Sequence, residues 1–160
     1  MSKLFSKVPL VMLSALCFPA VALMPEAQAT NFRWQCVTFA RSFSGIEIRG
    51  NAHTWWEQSA GRYHRSSRPE VGVVLVFKSF GTGGMRLGHV ATISEVLNNR
   101  EVLITHANWT GKGEVDTNVR AVDVSPSGDW SRVRVWYPPV NDLGRTAYPA
   151  FGFIHPNYEG

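Results

Sequence analysis

Four residues of this chain, by type and spacing, could together perform nucleophilic acyl chemistry: Cys36, His89, His106 and Asn108. A thiolate attacks a carbonyl, an imidazole takes and returns the proton, and a third polar group fixes the tautomer of that imidazole. Cys36 lies in "NFRWQCVTFARSF" (31–43), where Trp34, Val37, Phe39, Ala40 and Phe43 recur at helical spacing, with Gly45 just past the end and Asn31 as a cap. A thiol in the first turn of that helix is expected to feel the positive end of the helix dipole, which favours the thiolate. The unpaired N–H groups of the turn suit a developing oxyanion. The competing reading is an inert, buried cysteine, because free Cys is among the most buried residue types.

The histidines and the asparagine fall on a predicted hairpin. "HVATISEVL" (89–97) and "EVLITHANW" (101–109) flank Asn98-Asn99, a strong turn signal. A turn centred there sets His89 opposite Asn108, with His106 as its diagonal neighbour and all three on one face. A three-residue loop would flip the parity and break the arrangement. Read separately, His106 and Asn108 are equally polar residues of a solvated sheet face, and His89 an ordinary strand histidine at a loop exit.

The remaining elements must hold these groups. A short helix is expected over 52–60, ended by Gly61, and a buried strand over "VGVVLVF" (71–77). The glycine-rich "GTGGMRLG" (81–88) reads as a loop, and further strands are expected at 120–125, 130–137 and 151–154. One or two helices followed by antiparallel strands predict an α+β domain.

At the N-terminus, Lys3 and Lys7 precede a mostly apolar run from Val8 to Leu23, and Ala27-Gln28-Ala29 offers small residues for cleavage. The pattern predicts a cleaved secretory signal over 1–29 and a single domain over 30–160. The run is short for a bilayer span and broken by Pro19, so no stable membrane span is expected after cleavage. Cleavage removes Cys17 and leaves Cys36 without a disulfide partner. The chain has 16 Lys plus Arg against 12 Asp plus Glu, a formal net charge of +4, scattered without a run. That balance does not argue for nucleic acid, and is a weak hint of work near an anionic polymer. His53 and His64 have no metal-ligand spacing, so no metal or other cofactor is expected.

"WQCVTFAR" (34–41), "PEVGVVLVF" (69–77), "GHVATISEV" (88–96) and "ITHANW" (104–109), in that order and spacing, resemble a CHAP domain, the cysteine, histidine-dependent amidohydrolase/peptidase family. The likeness spans about residues 31–138, and "GNAHTWWEQSAGRY" (50–63) is similar to the segment after the first helix in many members. The resemblance implies a papain-like fold, with the N-terminal helix carrying the cysteine packed on an antiparallel sheet. It implies Cys36 as nucleophile and His89 as general base. Many members have an acidic residue where His106 stands and an asparagine where Asn108 stands. Both remain candidates to orient His89: register favours Asn108 and the family pattern position 106.

The resemblance also implies the substrate, amide bonds of peptidoglycan, cut by an N-acetylmuramoyl-L-alanine amidase or an endopeptidase. With the export signal, a protein outside the cytoplasm, secreted or periplasmic, and a monomer are expected. Gln35 is a candidate oxyanion donor. Trp55 and Trp109 are candidates to line the substrate cleft, with core packing as their alternative. Two other functions stay open: a catalytically inactive cell-wall binding module, which the histidine at 106 would suit, and an amidase acting on a small peptide or polyamine conjugate.

Overall fold

Alternating apolar residues build the strands, and one face of every long strand turns inward. In the computed structural model, which describes residues 33–156, the strands are β1 (Arg65–Ser66), β2 (Val74–Phe77), β3 (His89–Asn98), β4 (Glu101–Ala107), β5 (Val115–Asp123), β6 (Arg132–Tyr137), β7 (Asp142–Leu143) and β8 (Tyr148–Ile154). They lie in the order β1-β8-β2-β3-β4-β5-β6-β7, with antiparallel neighbours. β6 also pairs with β8 through Arg132↔Pro149 and Val133↔Tyr148. The strands β8, β2, β3, β4, β5 and β6 therefore close into a six-stranded barrel. The described residues belong to one compact unit, Asn31–Gly160; the signal expected over 1–29 and the cap expected at Asn31 lie outside them.

The closure corrects the expected papain-like α+β arrangement. The described chain is mostly β, with two short α-helices, α1 (Cys36–Ser44) and α2 (Trp55–Gln58), the latter entered through a 3-10 turn at Ala52–Thr54. The expectation failed because closure is non-local. The last strand begins at Tyr148, before the run 151–154 that its apolar pattern marks, and its extra residues are the ones that reach β6.

Two apolar layers position the site. Leu75, Phe77, Ile93, Ile104, Val135 and Phe153 fill the barrel interior. On the outer face of β2, β3 and β8, Val74, Val76, Val90 and Ile154 meet Ala40 of α1 and Ile46, Ile48 and Trp55. All four residues of β2 are fully buried because both its faces are covered. Burial of this kind stabilises at about 25 cal/mol per Å² of apolar surface, and it fixes α1 against the strand that begins at His89.

α1 starts later than its apolar spacing predicts. Gln35 is the N-cap, with extended backbone, and its N–H donates to Thr38 Oγ1 at 3.2 Å, one half of a capping box. Cys36 is therefore the first helical residue. Gly45 ends the helix at φ +78°, a left-handed conformation that favours glycine.

Candidate active site

His89 owes its place to the residue before it. Gly88 has φ +72°, and a Cβ there would come within 2.7 Å of both the Phe77 carbonyl oxygen and the His53 backbone nitrogen. Only glycine lets the loop turn this tightly into β3. His53 Nδ1 meets the Leu87 carbonyl oxygen at 3.0 Å and ties the same loop to the 3-10 turn.

The hairpin reaches the expected register by another route. Its two-residue turn is Asn99-Arg100, closed by Asn98↔Glu101, one residue beyond the expected centre. Two irregularities, between Ile93 and Glu95 and between Val96 and Asn98, then shift the pairing back to Ile93↔Ile104 and Thr92↔Thr105. The pairing near the site is the expected one. His89 shares the inward face of Ala91 and Ile93, and His106 that of Ile104.

At the end of the barrel the two imidazoles meet, with His89 Nε2 and His106 Nδ1 2.9 Å apart and both side chains buried. Aromatic rings enclose them. Trp109 lies 4.9 Å from His89 and 5.4 Å from His106, and Phe77 lies 6.0 Å from His89 (centroid distances). Asn108 does not face His89 as the register predicts. The strand ends at Ala107, and Asn108 turns away at φ +64°. Its amide donates to Gln35 Oε1 at 3.2 Å, and its Oδ1 accepts the Gly113 N–H at 3.0 Å. Of the two candidates to orient His89, it is therefore His106 that touches it.

Cys36, His89, Gln35, Asn108 and Trp109 line one cavity of about 490 Å³, together with Met85, Leu87, Tyr137 and Tyr148. The structure thus gathers five of the seven residues singled out by the sequence around one space and sets His106 directly behind it. Trp55 is not among them. It is fully buried in the layer between the barrel and the helices.

The electrostatics differ from the expectation for Cys36. Burial pushes its thiol up from the ordinary value and outweighs the backbone N–H groups of Val90, Val37 and Cys36 itself, which pull it down. Burial likewise holds His89 well below the ordinary histidine range, with His106 adding to the effect. His106 is lowered to about 4 by burial, against the opposing pull of Asp116. The resting site accordingly has a thiol and a neutral imidazole, His89, on one cavity wall, with a second neutral imidazole, His106, behind. Such a set can transfer a proton during a reaction instead of holding a permanent ion pair.

Sequence reasoning missed Asp116, which pairs with His106 across β4 and β5 and places Oδ2 3.7 Å from His106 Nε2. The signal was available. Val115, Thr117 and Val119 alternate with polar residues, extending the strand five residues before the expected start at Arg120. Among the described residues no group of side chains is arranged to hold a metal ion, and no helix is long and apolar enough to cross a membrane.

The CHAP domain family model matches residues 27–108, just over half of the chain and inclusive of Cys36, His89, His106 and Asn108. The chain belongs to that family, the family of amidohydrolases and peptidases that its motifs resemble. No curated protein matches it. Among solved structures it is similar to an N-acetylmuramoyl-L-alanine amidase from Staphylococcus aureus, at 18% identity and a TM-score of 0.48. That alignment covers 73% of this chain and 30% of the amidase, so the chain spans under a third of that protein's length.

Proposed function

We propose that the protein is a secreted cysteine hydrolase that cuts amide bonds in peptidoglycan, as an N-acetylmuramoyl-L-alanine amidase or as an endopeptidase on the peptide. One observation carries this reading. Cys36 at a helix start and His89 at a strand start line the same cavity, with His89 Nε2 engaged by His106. Membership of the CHAP family supports the reaction class, and a peptidoglycan substrate follows from the family's usual target.

In the proposed reaction the Cys36 thiol gives its proton to His89 Nδ1, the nitrogen not engaged by His106, as the sulfur attacks the amide carbonyl. The tetrahedral oxyanion is held by the Cys36 N–H and by the Gln35 side-chain amide. Asn108 donates to Gln35 Oε1, which leaves the Gln35 NH₂ as the end free to donate. His89 Nδ1–H then protonates the leaving amine as the C–N bond breaks and the thioester forms. Water then attacks the thioester and gives its proton to His89, which returns it to sulfur as the C–S bond breaks and the carboxylic acid is released. The protein works as a monomer outside the cytoplasm, released by cleavage after residue 29, and residues 30–160 form its single catalytic domain.

Trp109, against both histidines and on the cavity wall, offers a flat face to a sugar ring or peptide. The test is digestion of purified sacculi by the protein and its Cys36→Ala variant, with released fragments read by mass spectrometry. New amino groups on intact glycan strands, from the parent only, are expected, and their position separates amidase from endopeptidase. Equal blanks from both proteins would overturn the substrate.

A further inference from the structure

We infer that Asp116 is a positioning residue for this site: through His106 it sets the tautomer of His89 that leaves the lone pair on Nδ1, the ring nitrogen not engaged by His106, in the cavity that Cys36 also lines. The inference rests on the reading of Cys36 and His89 as nucleophile and base. It concerns a residue beyond the family match, which ends at 108.

The geometry forms a line. His106 Nε2 is fully buried and has no hydrogen-bond partner, and the carboxylate oxygen Asp116 Oδ2 faces it at 3.7 Å. Asp116 is itself held: Thr110 Oγ1 donates to Oδ1 at 2.6 Å and the Thr110 N–H to Oδ2 at 3.3 Å. An ionised carboxylate only accepts, so the proton of neutral His106 belongs on Nε2, since a lone pair there would face negative charge. His106 Nδ1 is then the acceptor, and His89 Nε2–H donates to it across 2.9 Å. That assignment places the His89 lone pair on Nδ1, where a base for the thiol is needed. Reverse the first proton and the line reverses. His106 Nδ1–H would donate to His89 Nε2, the remaining proton of His89 would sit on Nδ1, and the base would be lost.

The same carboxylate supplies charge. When His89 becomes imidazolium, a negative group one residue further along the line stabilises the positive charge, as the acid of a catalytic triad does. The acidic residue that many family members carry at the third position is replaced here by His106, and a carboxylate stands one strand further out, on β5. The titratable groups around this line are Cys36 on α1, His89 on β3, His106 on β4 and Asp116 on β5; Tyr137 and Tyr148 line the same cavity, and Tyr148 packs on Trp109 and Phe77, the two rings against His89.

The test uses the full chain and follows iodoacetamide alkylation at Cys36 by peptide mass spectrometry from pH 3.5 to 8, which needs no substrate. In the parent, alkylation should fall on the acid side as His106 is protonated. Asp116→Ala should lower the plateau at least tenfold and move the acid limb to lower pH, because a carboxylate that favours His106 protonation is gone. Asp116→Asn, which keeps an oxygen to face Nε2 but no charge, should fall between the two. A role confined to folding would lower thermal stability, admit water and move the limb upward towards the ordinary histidine range. That upward shift, or parental plateau and limb in both variants, would overturn the inference. The same proteins assayed on sacculi keep the two readings apart. A parent without activity but with the alkylation shift rejects the substrate and leaves the relay standing. An active parent matched by Asp116→Ala rejects the relay.

Discussion

His89 Nε2 and His106 Nδ1 are 2.9 Å apart, both buried at the end of a β-barrel, and His89 also lines the cavity that Cys36 lines. One imidazole is therefore oriented by another and not by the asparagine that strand register favours. Replacing His106 with Ala should lower kcat/KM on peptidoglycan about 10²-fold or more, the scale of a lost acid–base partner. Steady-state kinetics beside circular dichroism check this; a folded variant within threefold of the parent would refute it.

Gln35 caps α1, lines the cavity and is held by Asn108. Gln35→Ala should reduce kcat by about 10- to 10³-fold with a smaller change in KM, as expected for a donor that acts on the developing oxyanion. Asn108→Ala should show a weaker effect of the same kind, since it acts through Gln35. A rise in KM alone for Gln35→Ala would indicate ground-state binding instead.

Stability should depend on acid in a defined window. His106 is held at about 4 in the folded protein, against an ordinary value near 6.5. Between those values the unfolded chain binds a proton that the folded chain refuses. Stability is thus complete above about pH 6.5 and lost as pH falls towards 4, by on the order of 3 kcal/mol from this group. His89, depressed for the same reason, adds in the same direction. Denaturant melts at pH 7, 5.5 and 4.5 read the slope; a flat profile would contradict neutral, buried histidines.

Trp55 is fully buried between barrel and helices. Trp55→Ala should cost about 3–5 kcal/mol of stability through the cavity it leaves. The folded fraction should keep its KM. Urea denaturation and kinetics below the transition separate this from a substrate-binding role, which would raise KM without the loss of stability.

How much of this was legible in the sequence varies with the range of the interaction. The first helix was, because the spacing of Val37, Phe39 and Ala40 is local, although its true start at Cys36 is set by the Gln35–Thr38 cap. The hairpin face was also legible, yet two irregularities in β3–β4 had to cancel a turn shifted by one residue. Barrel closure was not: it depends on Tyr148 and Pro149 meeting β6, a contact that leaves no periodic trace. Nor was the fate of Asn108, whose positive φ carries it off the strand. The helix dipole suggested a thiolate at Cys36, but burial is the larger effect. Trp55 and Trp109 look alike in sequence; one is core and the other lines the cavity, a difference only packing decides.

An amide substrate should acylate Cys36 during turnover. Acid quenching of the protein during turnover of soluble peptidoglycan fragments, followed by mass spectrometry of the peptic peptide containing Cys36, tests it directly. A substrate-dependent mass increment on Cys36, removed by hydroxylamine, is expected, with loss of turnover in Cys36→Ala. Turnover that persists in Cys36→Ala, with no adduct on the parent, would contradict it.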